Sequence, residues 1–319
     1  MLAGLDAYTP TFLSNVDAAQ TRINTANEQL SSGYRVNVPS DDPGAIVAIL
    51  GFQSQIDNVT QVQSNLAQAT TIATVSDTAL NSASDLLDQL SSIADQGSSS
   101  DSTAAINASL AKQVQAIGDQ MVALANTSFA GQYVFGGDNS TTQPYTSNFD
   151  TLNYSSTAVP PVSSTSGYTE NGAETNTLTL TNSDGASMLV PGQTAQQIFD
   201  AQTSTGTPAV GNILNNIGSL ILALQSNDLA SIQAAAISTD SVTQLEQATT
   251  ISGNTISWLA ASTTTAASNL TSLQTELGGL RDADATAAAT NLTSGETALQ
   301  AAIAAQGTLN IKNLFSYLG

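Results

Sequence analysis

The chain has 319 residues and a formal net charge of -20, from 25 Asp plus Glu against five Lys plus Arg. That balance argues against nucleic acid and anionic membrane as partners, since both are bound by cationic surfaces. Cysteine and histidine are absent, which removes disulfide frameworks, Cys/His metal sites and His-activated nucleophiles.

Only 9% of residues are charged and 5% are aromatic. The polar surface therefore falls to Ser, Thr, Asn and Gln, and the scarcity of rings suits long thin helical packing. The start, MLAGLDAYTPTFLSN, has neither a cationic n-region nor an apolar h-region, so no cleaved secretory signal is expected. No apolar run is long enough to predict a membrane span.

Phe12, Val16, Ala19, Ile23, Ala26 and Leu30 follow one another at alternating steps of four and three residues. This is a heptad stripe, the pattern of a helix that packs along one narrow seam. So thin a stripe cannot bury itself alone and calls for a long partner helix.

The stretch Ser31–Ala45, SSGYRVNVPSDDPGA, separates this helix from the next. Gly33 reads as a helix stop in the left-handed conformation. Val38 precedes Pro39 and Asp42 precedes Pro43, so both are pushed out of the α region into an extended link. Asp42 can accept orphan backbone N–H groups at the next helix start, with Pro43 preset for its first position. Asp41 adds negative charge near the positive helix end.

A second helix is predicted from about Pro43 to Gln96, a rod of roughly 80 Å. Its stripe runs through Ile49, Phe52, Ile56 and Val59, resets at Val62, and continues through Leu66, Ala69, Ala73, Leu80, Leu87 and Leu90. The reset is a stammer, which locally overwinds a coiled coil. The GSSSDST loop then leads to a third helix, with Leu110, Val114, Ile117, Met121 and Leu124 on one face. Gly118 lies off that face and is expected only to weaken the helix slightly.

Beyond it the texture changes. Phe129–Tyr145 has alternating aromatics and paired glycines, as in a strand and turn. Residues 141–208 are rich in Ser, Thr, Asn, Gly and Pro, with strand signals at Thr177–Leu180 and Ser187–Val190 and a short helix near Ala195–Ala201. Helical texture resumes at Val210 with Ile213, Ile217, Leu220 and Leu224. A last long segment holds Leu259, Ala266, Leu270, Leu277 and Leu280. After Arg281–Asp284 the stripe resets to Ala288, Leu292, Gly295, Leu299, Ala302, Gln306 and Leu309. The fold class is therefore mainly α, a long coiled-coil bundle built from both termini with a small β-rich insertion in the middle.

Catalytic and metal chemistry find little to work with. Asp41 with Asp42, and Asp282 with Asp284, invite a metal, but the first pair is explained by a helix start and the second lacks calcium-loop spacing. The pairs Gly136-Gly137 and Gly278-Gly279 have no Lys-Ser/Thr beside them to make a phosphate loop. No catalytic residue, cofactor or metal ligand is expected, and the chain is not read as an enzyme. Instead the two end stripes are read as an assembly interface, comprising Phe12, Val16, Ala19, Ile23, Ala26 and Leu30 at one end and Leu292, Leu299, Leu309, Phe315 and Leu318 at the other. Ser, Thr, Ala and Gln dominate beside these stripes, so an isolated pair would be weak and is expected to lock on assembly.

The SSGYRVNVPSDDPGA link resembles the signature after the first helix of bacterial flagellins and their junction relatives. Asp85–Ser100, DLLDQLSSIADQGSSS, and Leu280–Asn310 are similar to further segments of that family in the same order. Three features resemble its hook–filament junction branch: the P-S-D-D-P run, the Phe129–Gly137 stretch followed by Pro144-Tyr145, and the aromatic ending LFSYLG. The resemblance implies an extracellular axial structural protein of the flagellum, exported by the type III route with a flagellar export chaperone. It further implies a ring or helical assembly of like subunits, beside a proximal junction protein and flagellin. Residues 1–38 with 283–319 would form the inner helix pair, 39–140 with 209–282 the long-helix bundle, and 141–208 the outer insertion. A filament flagellin is the alternative within the family. A secreted coiled-coil adhesin or translocator is the alternative outside it, suggested by the acidic Ser/Thr-rich middle. Gly33, Arg35, Pro39, Asp41, Asp42 and Pro43 would be the joint between inner pair and outer bundle, with Arg35 meeting a carboxylate across the joint or on a neighbour.

Overall fold

Helix dominates the chain because its apolar residues recur at three and four residues over long windows, and its Ser and Thr side chains find local partners. In a computed structural model the described residues are 3–151, 168–170, 179–181, 187–189, 192–202 and 209–315, with side chains for 10–137, 139–151, 192–202 and 209–306. The side chains of Leu309 and Phe315, all of Leu318, and much of the 141–208 insertion lie outside this set.

Three helices come first: α1 (Ala3–Ser32), α2 (Pro43–Gly97) and α3 (Ala104–Ala125). Short strands follow: β1 (Ser128–Phe129), β2 (Gln132–Tyr133), β3 (Tyr145–Ser147), β4 (Tyr168–Glu170), β5 (Thr179–Thr181) and β6 (Ser187–Leu189). They pair as three antiparallel two-stranded ribbons, β1–β2, β3–β4 and β5–β6. The β1–β2 turn places Ala130 and Gly131 at positive φ, 52° and 81°, the primed geometry that suits a tight hairpin. Among the described residues five further helices follow: α4 (Ala195–Phe199), α5 (Ile213–Ser226), α6 (Leu229–Ala234), α7 (Thr239–Arg281) and α8 (Ala285–Phe315). The mainly α architecture with a small β-bearing middle is the one read from the sequence.

Local chemistry sets several boundaries. Thr194 caps α4 in a reciprocal box with Gln197, and Asn212 caps α5 by accepting the Asn215 N–H at 2.8 Å. Asn227 ends α5 in the left-handed conformation. Along the polar faces, Thr and Ser hydroxyls donate to carbonyls one turn back, as Thr60 does to Ile56 and Thr263 to Leu259.

The chain divides into two units, Met1–Thr60 with Ser268–Gly319, and Gln61–Ala267. The second is organised around one apolar core shared by α2, α3, α5 and α7. The predicted stripe positions Leu80, Leu87, Leu90, Val114 and Met121 are all buried there, and Leu66 is buried further back on α2. Aromatic side chains complete it: Phe135 and Phe199 meet edge to face with ring centroids 5.8 Å apart. Gly118 departs from expectation. It is buried, and a Cβ there would come within 2.7 Å of the Phe149 ring, so the glycine is what admits Phe149 against α3. Its role depends on a residue distant in sequence, which helix periodicity cannot reveal. The six-residue α6 likewise lies outside the predicted elements, being too short to carry a stripe.

The unit of the two termini is built on α1 and α8. α1 begins well before Phe12 and includes Pro10. The two helices run antiparallel: the end of α1 meets the head of α8, where the Ala283 N–H donates to the Gly33 carbonyl at 2.9 Å. Further along, a Cβ on Gly295 would fall 2.8 Å from Ile23 Cγ1 and 3.4 Å from the Ala19 carbonyl. A second, smaller cluster of Val36, Ile49 and Leu277, flanked by Phe52 and Ile56, joins the first part of α2 to the last part of α7.

Candidate assembly site at the helix joint

The joint begins where α1 runs out of helix. Gly33 takes φ +76° and its N–H still reaches the Gln29 carbonyl at 2.9 Å, so the left-handed residue closes the last turn without a Cβ clash. The Ser32 hydroxyl donates to the Glu28 carbonyl at 2.8 Å and accepts the Tyr34 N–H at 3.0 Å. From Tyr34 the backbone leaves α1 and pairs with the short segment between α7 and α8.

That pairing is an antiparallel bridge, Tyr34 with Asp282. The Arg35 and Val36 N–H groups donate to the Arg281 carbonyl at 2.6 and 3.3 Å. Val36 is buried against Ile49 and Leu277. Two sequence-distant breaks between helices thus satisfy each other's backbone groups, which would otherwise need water.

The rest of the link is tighter than the extended segment expected. The Asp41 N–H donates to the Val38 carbonyl at 3.0 Å, closing a turn with Pro39 at its second position, where the fixed φ of proline is favoured. The Asp41 carboxylate accepts the N–H groups of Asn37 and Val38 at 2.8 and 2.9 Å. Asp41 therefore fastens the turn by specific bonds besides placing charge near α2. Asp42 accepts the Ala45 N–H at 3.0 Å, and Pro43 opens the helix.

Arg35 draws the joint together. Its Nη1 donates to Asp42 Oδ2 at 3.0 Å, and its Nη2 to the Leu280 carbonyl at 2.7 Å, at the last turn of α7. The Arg35 hydrogen bond, followed by that from the Ala45 N–H, holds the Asp42 carboxyl below its usual range. A second cation lies close by: the Arg281 guanidinium stands 4.0 Å from the centroid of the Tyr34 ring and 3.5 Å from Asp282. Tyr34, Val36, the Leu280 carbonyl and Arg281 are not singled out by the sequence reading. Arg281 does leave a signal there, because it ends a cation-free stretch that starts at Gln113.

The end stripes meet each other within one molecule. Ala19, Ala26, Ala288 and Gly295 are buried; Phe12, Val16, Ile23, Leu292, Leu299, Ala302 and Gln306 are partly buried. Leu30 is different, 40% exposed. By then α1 is in its last turns, where Gln29 is the partly buried residue. The seam is narrow because small residues line it, and at Gly295 backbone meets side chain with no room for a methyl group.

Residues 8–140 match the family described as the bacterial flagellin N-terminal helical region. That match covers the first part of the chain. The chain is 31% identical over 205 residues to flagellar hook-associated protein 3 of Salmonella typhimurium, covering 61% of this chain and 56% of that protein. The chain thus spans little more than half the length of that relative. It is 26% identical over 115 residues to flagellin of Clostridium tyrobutyricum, covering 36% of this chain and 30% of that one. Among solved structures, a Vibrio parahaemolyticus protein provisionally described as flagellar hook-associated superposes with a TM-score of 0.61 at 22% identity, over 76% of this chain and all of that one. That likeness shows the fold.

Proposed function

We propose that this chain is a structural axial protein of the bacterial flagellum, the subunit that joins hook to filament. The supporting observation is the extent of the likeness: the match to hook-associated protein 3 spans well over half the chain, against about a third for the Clostridium tyrobutyricum flagellin. The terminal pair suits such a role. On this reading its interface residues, Phe12 to Leu30 on α1 and Leu292, Leu299, Leu309, Phe315 and Leu318 beyond, belong to the inner assembly element, 1–38 with 283–319. On the same reading residues 39–140 with 209–282 are the long-helix bundle with its β-hairpin, and 141–208 the β-rich outer insertion. Gly33, Arg35, Pro39, Asp41, Asp42 and Pro43 act as the joint that sets how the inner pair leaves the bundle.

On this reading the protein works by geometry and contact rather than catalysis. Its partners are like subunits, a proximal junction protein and flagellin, met outside the cell after export with a chaperone. A deletion strain tests the assignment: cells lacking this chain should shed unattached filament protein and carry bare hooks. Attached, full-length filaments in that strain would overturn it. Abundance separates the filament reading, since a junction subunit is a trace component of sheared flagella and a filament subunit dominates them.

A further inference from the structure

With the α1–α8 seam occupied, a neighbouring copy must meet the terminal pair on its flanks. Successive helix residues lie about 100° apart around the axis. In an antiparallel pair, the positions one residue after the seam on both helices face the same side, because reversing a helix also reverses its sense of rotation as viewed from one end. Leu13 follows Phe12, Asp17 follows Val16, Glu296 follows Gly295 and Ile303 follows Ala302. All four are exposed, Leu13 and Ile303 each to 58%. One flank therefore combines two carboxylates with two aliphatic side chains.

Arg22 precedes Ile23 and lies on the opposite flank, exposed beside the small residues Ala18 and Ser294. No acidic residue stands three or four positions from it on α1, and it enters no ion pair among the described residues. In a chain with five cations, an exposed Arg with no carboxylate beside it on one flank, and carboxylates with no cation beside them on the other, are among the described residues complementary surfaces.

The geometry points to a lateral contact in which the Arg22 flank of one copy docks on the Asp17–Leu13–Ile303–Glu296 flank of a second copy. This deepens the functional reading above and rests on it. The contact joins two different surfaces, so each added copy presents a fresh flank, and association propagates into a ring or helix rather than stopping at a dimer. Small side chains around Arg22 leave space for Leu13 and Ile303, and the charges set register and partner choice.

Charge exchange in the full chain tests it. The wild-type chain is first located in purified flagella; its absence there overturns the functional reading and this one with it. With wild type present, Arg22→Glu, and separately Asp17→Lys with Glu296→Lys, should each reduce retention on flagella by about tenfold or more, as like charges face each other. Circular dichroism should show parental helix content in both. Combining all three changes in one chain should restore retention, because every contact again pairs opposite charges. Cysteine placement gives a second readout with all charges kept, in a chain that has no cysteine of its own. Gln20→Cys with Ser294→Cys in one chain should give an oxidised ladder beyond the dimer, and neither single variant should cross-link. Unchanged retention in the reversals, no recovery in the combined variant, or dimers from a single cysteine would overturn the flank contact while leaving the junction assignment standing.

Discussion

The two units of this chain are held together by different kinds of side chain. In Gln61–Ala267 the core contains whole aromatic rings and large aliphatics, with Tyr145, Phe149, Phe199, Leu80, Leu90 and Leu214 essentially inaccessible. In the unit of the two termini, the described side chains that the α1–α8 seam buries fully are alanines and a glycine. Hydrophobic stabilisation scales with apolar area removed from water, so a seam of methyl groups contributes far less per turn than a layer of leucines and phenylalanines. Small residues bring the helices close but leave the pair thin. The aromatic unit has a thick apolar core of its own, whereas the seam of the terminal pair is thin.

Substitutions can break that contrast or sharpen it. The largest effect is expected at Phe149, fully buried beside Gly118. Phe149→Ala should cost about 3–5 kcal/mol, read as an earlier thermal transition of the aromatic unit. Gly295→Leu comes next, costing about 1–3 kcal/mol by overpacking. It should remove amide-exchange protection from α1 and α8 and leave the aromatic unit's transition where it was. A shared shift of both would show that the two units do not melt separately. At Gly33 φ is +76°, and a Cβ added there would have nothing within 4 Å. Gly33→Ala therefore meets backbone strain alone, about 1 kcal/mol.

Acid should loosen the joint before it harms the core. The folded-state pKa of Asp42 is lowered, so its contribution is present at neutral pH and is lost as pH falls through the ordinary carboxylate range and below. An NMR titration of the Ala45 amide should report that loss, and Arg35→Gln should move its midpoint upward. The smallest effect is expected at Leu30, exposed at the end of α1: Leu30→Gln should change the melting temperature hardly at all, within about 0.5 kcal/mol.

The helical frame is legible in the sequence because its signal is local and repeated. The positions Ala288, Leu292, Gly295, Leu299, Ala302 and Gln306 can be read in order, and each proves to be turned inward, since a seven-residue repeat states its own partner face. The β5–β6 ribbon is visible as two strand signals, and the start of α2 in Asp42 and Pro43. What escapes depends on tertiary neighbours. Gly118 looks like a weak spot until Phe149 is placed against it, and Arg281 looks like a stripe reset until Tyr34 comes beneath it. Asp41 reads as a charge near a helix end, whereas its oxygens bind two specific N–H groups in the preceding turn. Single residues at chain crossings carry no periodicity, so their roles emerge only when the crossing partner is known.

The backbone clasp at the joint has a kinetic side. The Gly33 amide is closed by Gln29, four residues back, whereas the Arg35 amide is closed by Arg281, and the Arg35 side chain spans 245 residues to the Leu280 carbonyl. A loop of that length must be gathered before the second bond can form, and such non-local contacts slow folding. Two residues apart, one amide is ready as soon as α1 coils and the other waits for nearly the whole chain. Pulse-labelled hydrogen exchange during refolding should see Gly33 protected first and Arg35 late. A joint that closes late leaves α1 coiled but unfastened until the segment between α7 and α8 reaches it.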